Sequence, residues 1–106
     1  MSVETAVIRR AREIISDPTK WTQGTYARDQ YGHSVEPSSP EASRWDALGA
    51  IIRASIELGV HEGIGAGSVD LLIDIANGPV SAINDNQGHA AVLAIFDKAL
   101  ASEMAA

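Results

Sequence analysis

The sequence SSPEASRWDALGAIIRASIELG, from Ser38 to Gly59, carries the clearest helical pattern in the chain. Ser38 and Glu41 have the spacing of a capping box, and Pro40 suits the first turn of a helix. Residues predicted to face inward recur three and four positions apart. They are Trp45, Leu48, Ile52, and Ser55 or Ile56. We therefore predict a central helix over residues 38–59, ended by Gly59 in a left-handed conformation.

A glycine lies inside this predicted helix at Gly49, between Leu48 and Ala50. Glycine in a helix interior costs about 1 kcal/mol of stability relative to alanine. A common compensation is a neighbouring backbone that comes too close for any side chain. We therefore predict that another segment packs directly against Gly49.

The composition predicts a single domain over residues 1–106 with one hydrophobic core. Two tryptophans, two tyrosines and one phenylalanine are the only aromatic residues, so aliphatic side chains and alanine must fill most of that core. The absence of cysteine excludes disulfides, thiolate metal sites and cysteine nucleophiles. Early charged residues and the lack of a long apolar run predict no signal peptide, no membrane span and a cytoplasmic location.

The formal net charge of −6 lies entirely in the second half of the chain. Residues 54–106 contain seven Asp or Glu against one lysine, Lys98, whereas residues 1–53 contain seven charges of each sign. Nucleic-acid binding depends on clustered Lys and Arg, so we expect no nucleic-acid partner. The acidic half is either a solvated surface or a docking face for a protein partner. Whether the chain forms a homo-oligomer stays open.

Periodic patterns also precede the central helix. Residues 3–16 predict an amphipathic helix. Alternation over residues 20–36, with turn residues from Asp29 to Gly32, predicts a short β-hairpin that Trp21 anchors to the helices. The apolar side of the first helix comprises Val3, Val7, Ala11, Ile14 and Ile15.

After the central helix, the glycine-rich residues 59–68 predict a flexible connection. A third helix is predicted from Ser68 to Ala76, followed by an extended segment over residues 79–83. A last helix is predicted over residues 89–102, with Val92, Leu93, Phe96 and Leu100 buried. These elements predict a mostly helical α+β fold of about four helices arranged around the central one.

A polar dipeptide, Asn84–Asp85, precedes the last predicted helix. One interpretation is capping, because Asn and Asp accept hydrogen bonds from free amides at a helix start, worth about 1 kcal/mol. The other is a pocket in which Asp85 lies beside Arg28 or His89 and holds a ligand or acts as a base. Under this second hypothesis the ligand-binding residues are Trp21, Arg28, Asn84, Asp85 and His89.

Neither the glycine run nor the histidines predict a cofactor or a metal. The glycines at 63, 65 and 67 follow a helix rather than a strand and lack the lysine of a P-loop. The histidines match no metal-binding spacing. They are His33, His61 and His89.

Several short motifs are spread along the chain. They are Trp21-x-Gln23-Gly24, Ala27-Arg28-Asp29, Arg44-Trp45, Leu48-Gly49-Ala50, Asn84-Asp85, Val92-Leu93 and Asp97-Lys98-Ala99. With them the chain resembles an uncharacterised family of short bacterial and phage-associated proteins, classed as a domain of unknown function. The resemblance runs from about Ile8 to Ala101 and implies no activity.

Two hypotheses about function follow from these patterns. The first is a non-enzymatic accessory or regulatory protein that acts through a protein–protein surface, since no catalytic pattern stands out. The second is a small enzyme or ligand-binding module with a polar pocket around Asp85, Arg28 and Trp21. The second hypothesis requires a hollow that joins the predicted hairpin to residues 84–88.

Overall fold

The computed structural model describes the backbone of residues 2–60 and 62–105, and the side chains of residues 2–60 and 65–102. Within these ranges the chain is mostly helical with a small antiparallel sheet, so the predicted α+β class is confirmed. No helix of the described residues is both long and apolar enough to cross a membrane. The elements are α1 (Val3–Ile14), β1 (Ala27–Arg28), β2 (Arg44–Trp45), α2 (Ala47–Glu57), α3 (Glu62–Ala76), α4 (Val80–Gln87) and α5 (His89–Ala105), with a short 3-10 turn at Pro18–Lys20.

Helix α1 lies across α2, α3 and α5 and supplies much of the core. It begins because the hydroxyl of Ser2 accepts a hydrogen bond from the Thr5 amide at 3.1 Å. Its buried face matches the predicted pattern from Val7 onward. Val3, predicted to face inward, is instead 46% exposed, so burial begins at Thr5.

Helix α2 begins at Ala47, and the predicted start at Ser38 is wrong. The capping group is Asp46, whose Oδ1 accepts the Gly49 amide at 2.6 Å. The serine–proline segment forms a local turn instead, in which the Ser39 hydroxyl accepts the Glu41 amide at 3.1 Å. Residues 44–45 are extended because β2 pairs with β1 there, so α2 can begin only after Asp46.

The buried face of α2 consists mainly of small residues. Ala47, Ala50 and Ala54 are fully buried, and they let neighbouring helices approach closely. The prediction that Ile52 faces inward is wrong, because its side chain is 38% exposed. Of the two alternatives predicted one turn later, Ser55 is buried and Ile56 is 51% exposed. The helix is therefore rotated, with part of its bulky apolar surface facing solvent.

Both glycine predictions for this helix are confirmed. Gly59 has a φ of +67° just beyond the end of α2, which is the left-handed stop. At Gly49 a Cβ atom would overlap the backbone carbonyl of Tyr26. That carbonyl also accepts the Asp46 amide at 3.1 Å, so the loop before β1 is fastened to the start of α2.

The predicted hairpin over residues 20–36 is wrong in its pairing. Ala27 pairs with Trp45 and Arg28 with Arg44, so the second strand comes from far along the chain. The turn after β1 is present, since Arg28 and Ser34 form a single antiparallel bridge. Residues 44–45 follow a long loop, and no local pattern links them to β1.

Helix α3 begins at Glu62, so the predicted flexible connection up to Ser68 is wrong. A neighbour approaches closely at Gly65, where a Cβ would lie 3.1 Å from the Ser55 hydroxyl, whereas a Cβ at Gly67 would make ordinary contact with Glu4 Cγ at 3.5 Å. The predicted end of α3 is confirmed, with Asn77 at a φ of 58°.

The predicted extended segment over residues 79–83 is also wrong, because α4 begins at Val80. The described residues therefore contain five helices, where about four were expected. Asn84 and Asp85 lie inside α4 rather than before α5, so they cap neither helix. Gly88, at a φ of +91°, separates α4 from α5, whose start at His89 and buried Val92 and Phe96 confirm the last predicted helix.

Candidate functional site

Asn84 is the centre of a buried polar cluster. Its side chain is fully buried although α4 is otherwise largely exposed. Oδ1 accepts hydrogen bonds from the Trp21 indole at 2.7 Å and from the Ala47 amide at 3.0 Å. Nδ2 donates to the Thr22 carbonyl at 3.0 Å and to Asp85 Oδ1 at 3.1 Å. One amide side chain thus joins α4, the start of α2 and the segment around Trp21.

Asp85 fastens the same segment from outside. Its Oδ1 accepts the Gly24 amide at 3.0 Å. The Gln23 side-chain amide donates to the backbone carbonyls of Asn84 at 3.0 Å and Asp85 at 3.1 Å. Residues 21–24 are therefore held against α4 by both side-chain and backbone groups.

The other two predicted site residues take part in separate contacts. Arg28 donates to the Thr22 hydroxyl at 3.0 Å and to the carbonyls of Gly32 at 2.9 Å and Gln23 at 3.0 Å. His89 Nε2 lies 2.6 Å from the Ile15 carbonyl, and because a carbonyl only accepts, this nitrogen carries the proton. The His89 ring also lies against Trp21, tilted by 51°, with the ring centroids 5.4 Å apart. Arg28 and His89 contact the partners of Asp85 and Asn84 but not the Asp85 carboxylate.

A small hollow of about 260 Å³ opens beside this cluster. It is lined by Gly24, Thr25, Tyr26, Asp46, Ser81 and Asp85, so it joins the residues before β1 to α4. Burial, with the nearby charge of Asp85, raises the pKa of Asp46 to about 6, although the hydrogen bond from Gly49 favours the ionised form. A carboxyl group that titrates near neutral pH beside a hollow is one mark of a reactive or ligand-binding site.

A larger, apolar groove of about 460 Å³ lies between α2 and α3. Its most exposed wall is formed by Ile52, which was predicted to face inward, and by Ile56, which was predicted to do so as an alternative to Ser55. The remaining lining is apolar except for the Ser55 hydroxyl, which donates within α2 to the Ile51 carbonyl at 2.8 Å. The facing wall on α3 includes Gly65, Ala66 and Val69, and Val60 of the connection between the helices closes one end. This groove resembles a binding cleft in size and chemistry.

The two edges of the groove differ in charge. Beyond Ile56, Glu57 pairs with Arg10 at 2.6 Å and with Arg53 at 3.3 Å, so the carboxylate is compensated and its pKa is lowered, mainly by the Arg10 hydrogen bond. On α3, Asp70 and Asp74 are exposed and form no ion pair with any residue whose side chain is described. The α3 edge is therefore negative.

Asp46 and the groove were not predicted from the sequence. Asp46 is a residue type that caps helices, and it accepts the amide of the residue three positions later. The sequence also offers Ser38 and Pro40 as start signals, and these predicted an earlier start. Exposed isoleucines carry no signal in the sequence, because their spacing also fits a buried face. No group of three potential metal ligands occurs among the side chains that the structure describes, and the side chain of His61 lies outside that set.

No curated protein and no solved structure matches this chain. The model of the family of unknown function DUF6197 matches residues 1–102, nearly the whole sequence. A match of that length establishes membership, although the family's description names no activity. The chain therefore belongs to the DUF6197 family of unknown function.

Proposed function

We propose that this chain is a cytoplasmic, non-enzymatic accessory or regulatory protein, which binds an apolar segment of another protein in the groove between α2 and α3. The observation that carries the proposal is the exposure of Ile52 and Ile56 along this groove. Exposed apolar surface that is contiguous and rimmed by charge is typical of an interaction site.

The polar cluster supports the proposal by contrast. Both polar atoms of the Asn84 side chain form hydrogen bonds within the chain, and Arg28 donates to three acceptors within the chain. Groups satisfied in this way hold segments together and have little capacity left for a ligand. The apolar groove, in comparison, leaves large side chains without a covering partner.

Charge argues that the occupant is a different protein rather than a second copy. The chain carries a formal net charge of −6, and the α3 edge of the groove adds Asp70 and Asp74. Two copies joined through this groove would bring like charges together, which opposes association. A neutral or basic partner meets no such opposition.

A second candidate function is a small enzyme or ligand-binding module. The hollow beside Asp46 and Asp85 favours it, because it joins the segment before β1 to α4 as that hypothesis requires. The raised pKa of Asp46 adds weight. Trp21 and Arg28 contact the same polar cluster but do not line the hollow.

The test is a selection of peptides from a random display library against the immobilised wild-type chain. Binding of the selected peptides is then measured on Ile52→Ser/Ile56→Ser and on Tyr31→Ser, a control at a residue that is 76% exposed and lies outside the groove. We expect the groove variant to lose binding and the control to keep it. Failure to select any peptide, or equal binding to both variants, would contradict the proposal.

The second candidate is tested separately with a thermal-shift screen of metabolites and nucleotides on wild type and Asp85→Asn. A ligand at about 100 times its dissociation constant stabilises a protein by about 2.7 kcal/mol. A compound that stabilises the wild type but not the variant would favour the ligand-binding function over the groove.

A further inference from the structure

We infer that the partner segment is an amphipathic α-helix that lays its apolar face in the α2–α3 groove and directs lysine or arginine side chains toward Asp70 and Asp74. This inference rests on the proposed function and specifies the partner for the same groove. Three features of the groove lead to it: its walls, the spacing of its apolar residues and the charge of its α3 edge.

The walls of the groove are helices, whose backbone groups are already paired within each helix. An extended segment would bring unpaired N–H and C=O groups against these walls and find no strand edge there. The two-residue strands β1 and β2 do not line the groove. A helix pairs its own backbone N–H and C=O groups. Moving it from water into the groove therefore costs less free energy than moving an extended segment.

The apolar residues of the walls are spaced as one helix face requires. Ile52 and Ile56 lie one turn apart on α2, and Val69 and Ile73 lie one turn apart on α3. Ile73 is 37% exposed, so it extends the apolar wall beyond Val69. Rows of this kind accept the side-chain ridge of a third helix, whose own apolar residues recur every three or four positions.

The positive charge that we infer for the partner follows from a row of exposed residues on α3. Ala66 lines the groove, and Asp70 and Asp74 continue the same row at intervals of four residues. Both carboxylates are exposed and unpaired among the described side chains, whereas Glu57 on the α2 edge already has two arginine partners. A cation beside the α3 edge gains an attraction that the α2 edge does not offer.

The test uses synthetic peptides of about 15 residues, long enough to form a helix when bound. The first peptide has leucines at helical spacing and lysines along one flank. The second replaces every lysine with glutamate, and the third keeps the lysines but has a central proline that breaks the helix. Binding is measured by fluorescence anisotropy at low and high salt, on the wild type and three variants: Ile52→Ser/Ile56→Ser, Asp70→Asn/Asp74→Asn, and the control Glu36→Gln/Glu41→Gln, which removes the same charge from exposed residues outside the groove.

We expect the lysine peptide alone to bind the wild type and to bind more weakly at high salt. The Asp70→Asn/Asp74→Asn variant should bind it about three- to tenfold more weakly, and the charge-matched control should not change. The serine variant should lose binding.

Equal binding by the glutamate or proline peptide, or no effect of Asp70→Asn/Asp74→Asn, would overturn the inference. If binding still depends on Ile52 and Ile56 in those cases, the proposed function stands and only the partner's chemistry is wrong. A concentration-dependent dimer that the serine variant abolishes in sedimentation would assign the groove to a second copy and overturn the inference. Binding unaffected by the serine variant would contradict the proposed function as well.

Discussion

The side-chain oxygen of Asn84 accepts the backbone N–H of Ala47 at 3.0 Å, so a residue inside α4 satisfies a free amide at the start of α2. The same oxygen accepts the Trp21 indole. Asn84 therefore contributes a hydrogen bond at the start of α2, whereas the capping interpretation from the sequence assigned it to the last helix, which it does not cap. Asp46, the residue before Ala47, caps the same helix by accepting the Gly49 amide.

Replacing Asn84 should destabilise the fold strongly. Asn84→Ala removes the acceptor of two N–H groups and the donor to the Thr22 carbonyl in a fully buried position. Buried groups without partners cost about 1–3 kcal/mol each, so we expect a loss of about 2–4 kcal/mol in the free energy of unfolding. Urea denaturation measures it, with the exposed Asn86→Ala as control. A loss no larger than the control's would contradict the central role of this side chain.

Two glycines inside helices should respond in opposite ways to alanine. Gly49→Ala should destabilise the chain, because the added Cβ meets the Tyr26 carbonyl, which is fixed backbone. Gly67→Ala should be neutral or stabilise by up to about 1 kcal/mol, because its Cβ makes ordinary contact with the Glu4 side chain. Thermal unfolding of both variants checks the pair. An equal change in stability for the two variants would contradict the difference in packing at Gly49 and Gly67.

Much of the helical framework was predictable because its signals are local. The amphipathic pattern of α1, the left-handed stop at Gly59 and the close approach at Gly49 all depend on neighbouring residues in the sequence or on one missing side chain. The pairing of β1 with β2 was not predictable in this way, because Ala27 and Trp45 meet only after the chain has folded. That pairing also determines where α2 begins.

The candidate site was partly predictable for the same reason. The predicted site residues Trp21, Asn84 and Asp85 do lie in one cluster, with Arg28 and His89 at its margin. Their roles were not predictable, because the assumed extended segment before residue 84 is the helix α4. A buried asparagine cannot be told from a solvated one by its own position in the sequence.

Stability should depend on pH through Asp46. Its pKa rises from 3.8 to about 6 on folding, so the folded chain binds the proton more tightly than the unfolded chain does. The free energy of unfolding contributed by this group therefore falls as the pH rises from about 4 to about 6. Asp46→Asn keeps the capping oxygen and removes the buried charge.

We therefore expect Asp46→Asn to be about 1–3 kcal/mol more stable than the wild type at neutral pH. The difference should shrink below the unfolded pKa of 3.8, where Asp46 is protonated in both states. Denaturation across this pH range checks the sign by comparing the two proteins, which cancels the opposite contributions of Asp17 and Asp97, whose pKa values are lowered. An asparagine variant that is less stable at every pH would contradict the desolvation of Asp46.

Trp45→Ala should be among the most destabilising substitutions. Trp45 is 8% exposed, its indole donates to the Pro37 carbonyl at 3.2 Å, and the Arg53 guanidinium lies 5.4 Å from its ring. Truncation of a buried tryptophan costs about 3–5 kcal/mol. Urea denaturation measures the loss, with Tyr31→Ala as the exposed control. A loss below about 1 kcal/mol would remove Trp45 from the core.

The most direct test of the proposed function is a nuclear magnetic resonance titration of the isotope-labelled chain with the lysine-flanked helical peptide. The expected result is that the largest amide shifts fall along residues 51–60 and 65–73, on the two walls of the groove. Shifts concentrated at residues 24–26, 46 and 81–85, around the hollow beside Asp46, would contradict it and favour the ligand-binding alternative. The absence of any shift at saturating peptide would equally contradict a groove that binds an apolar helix.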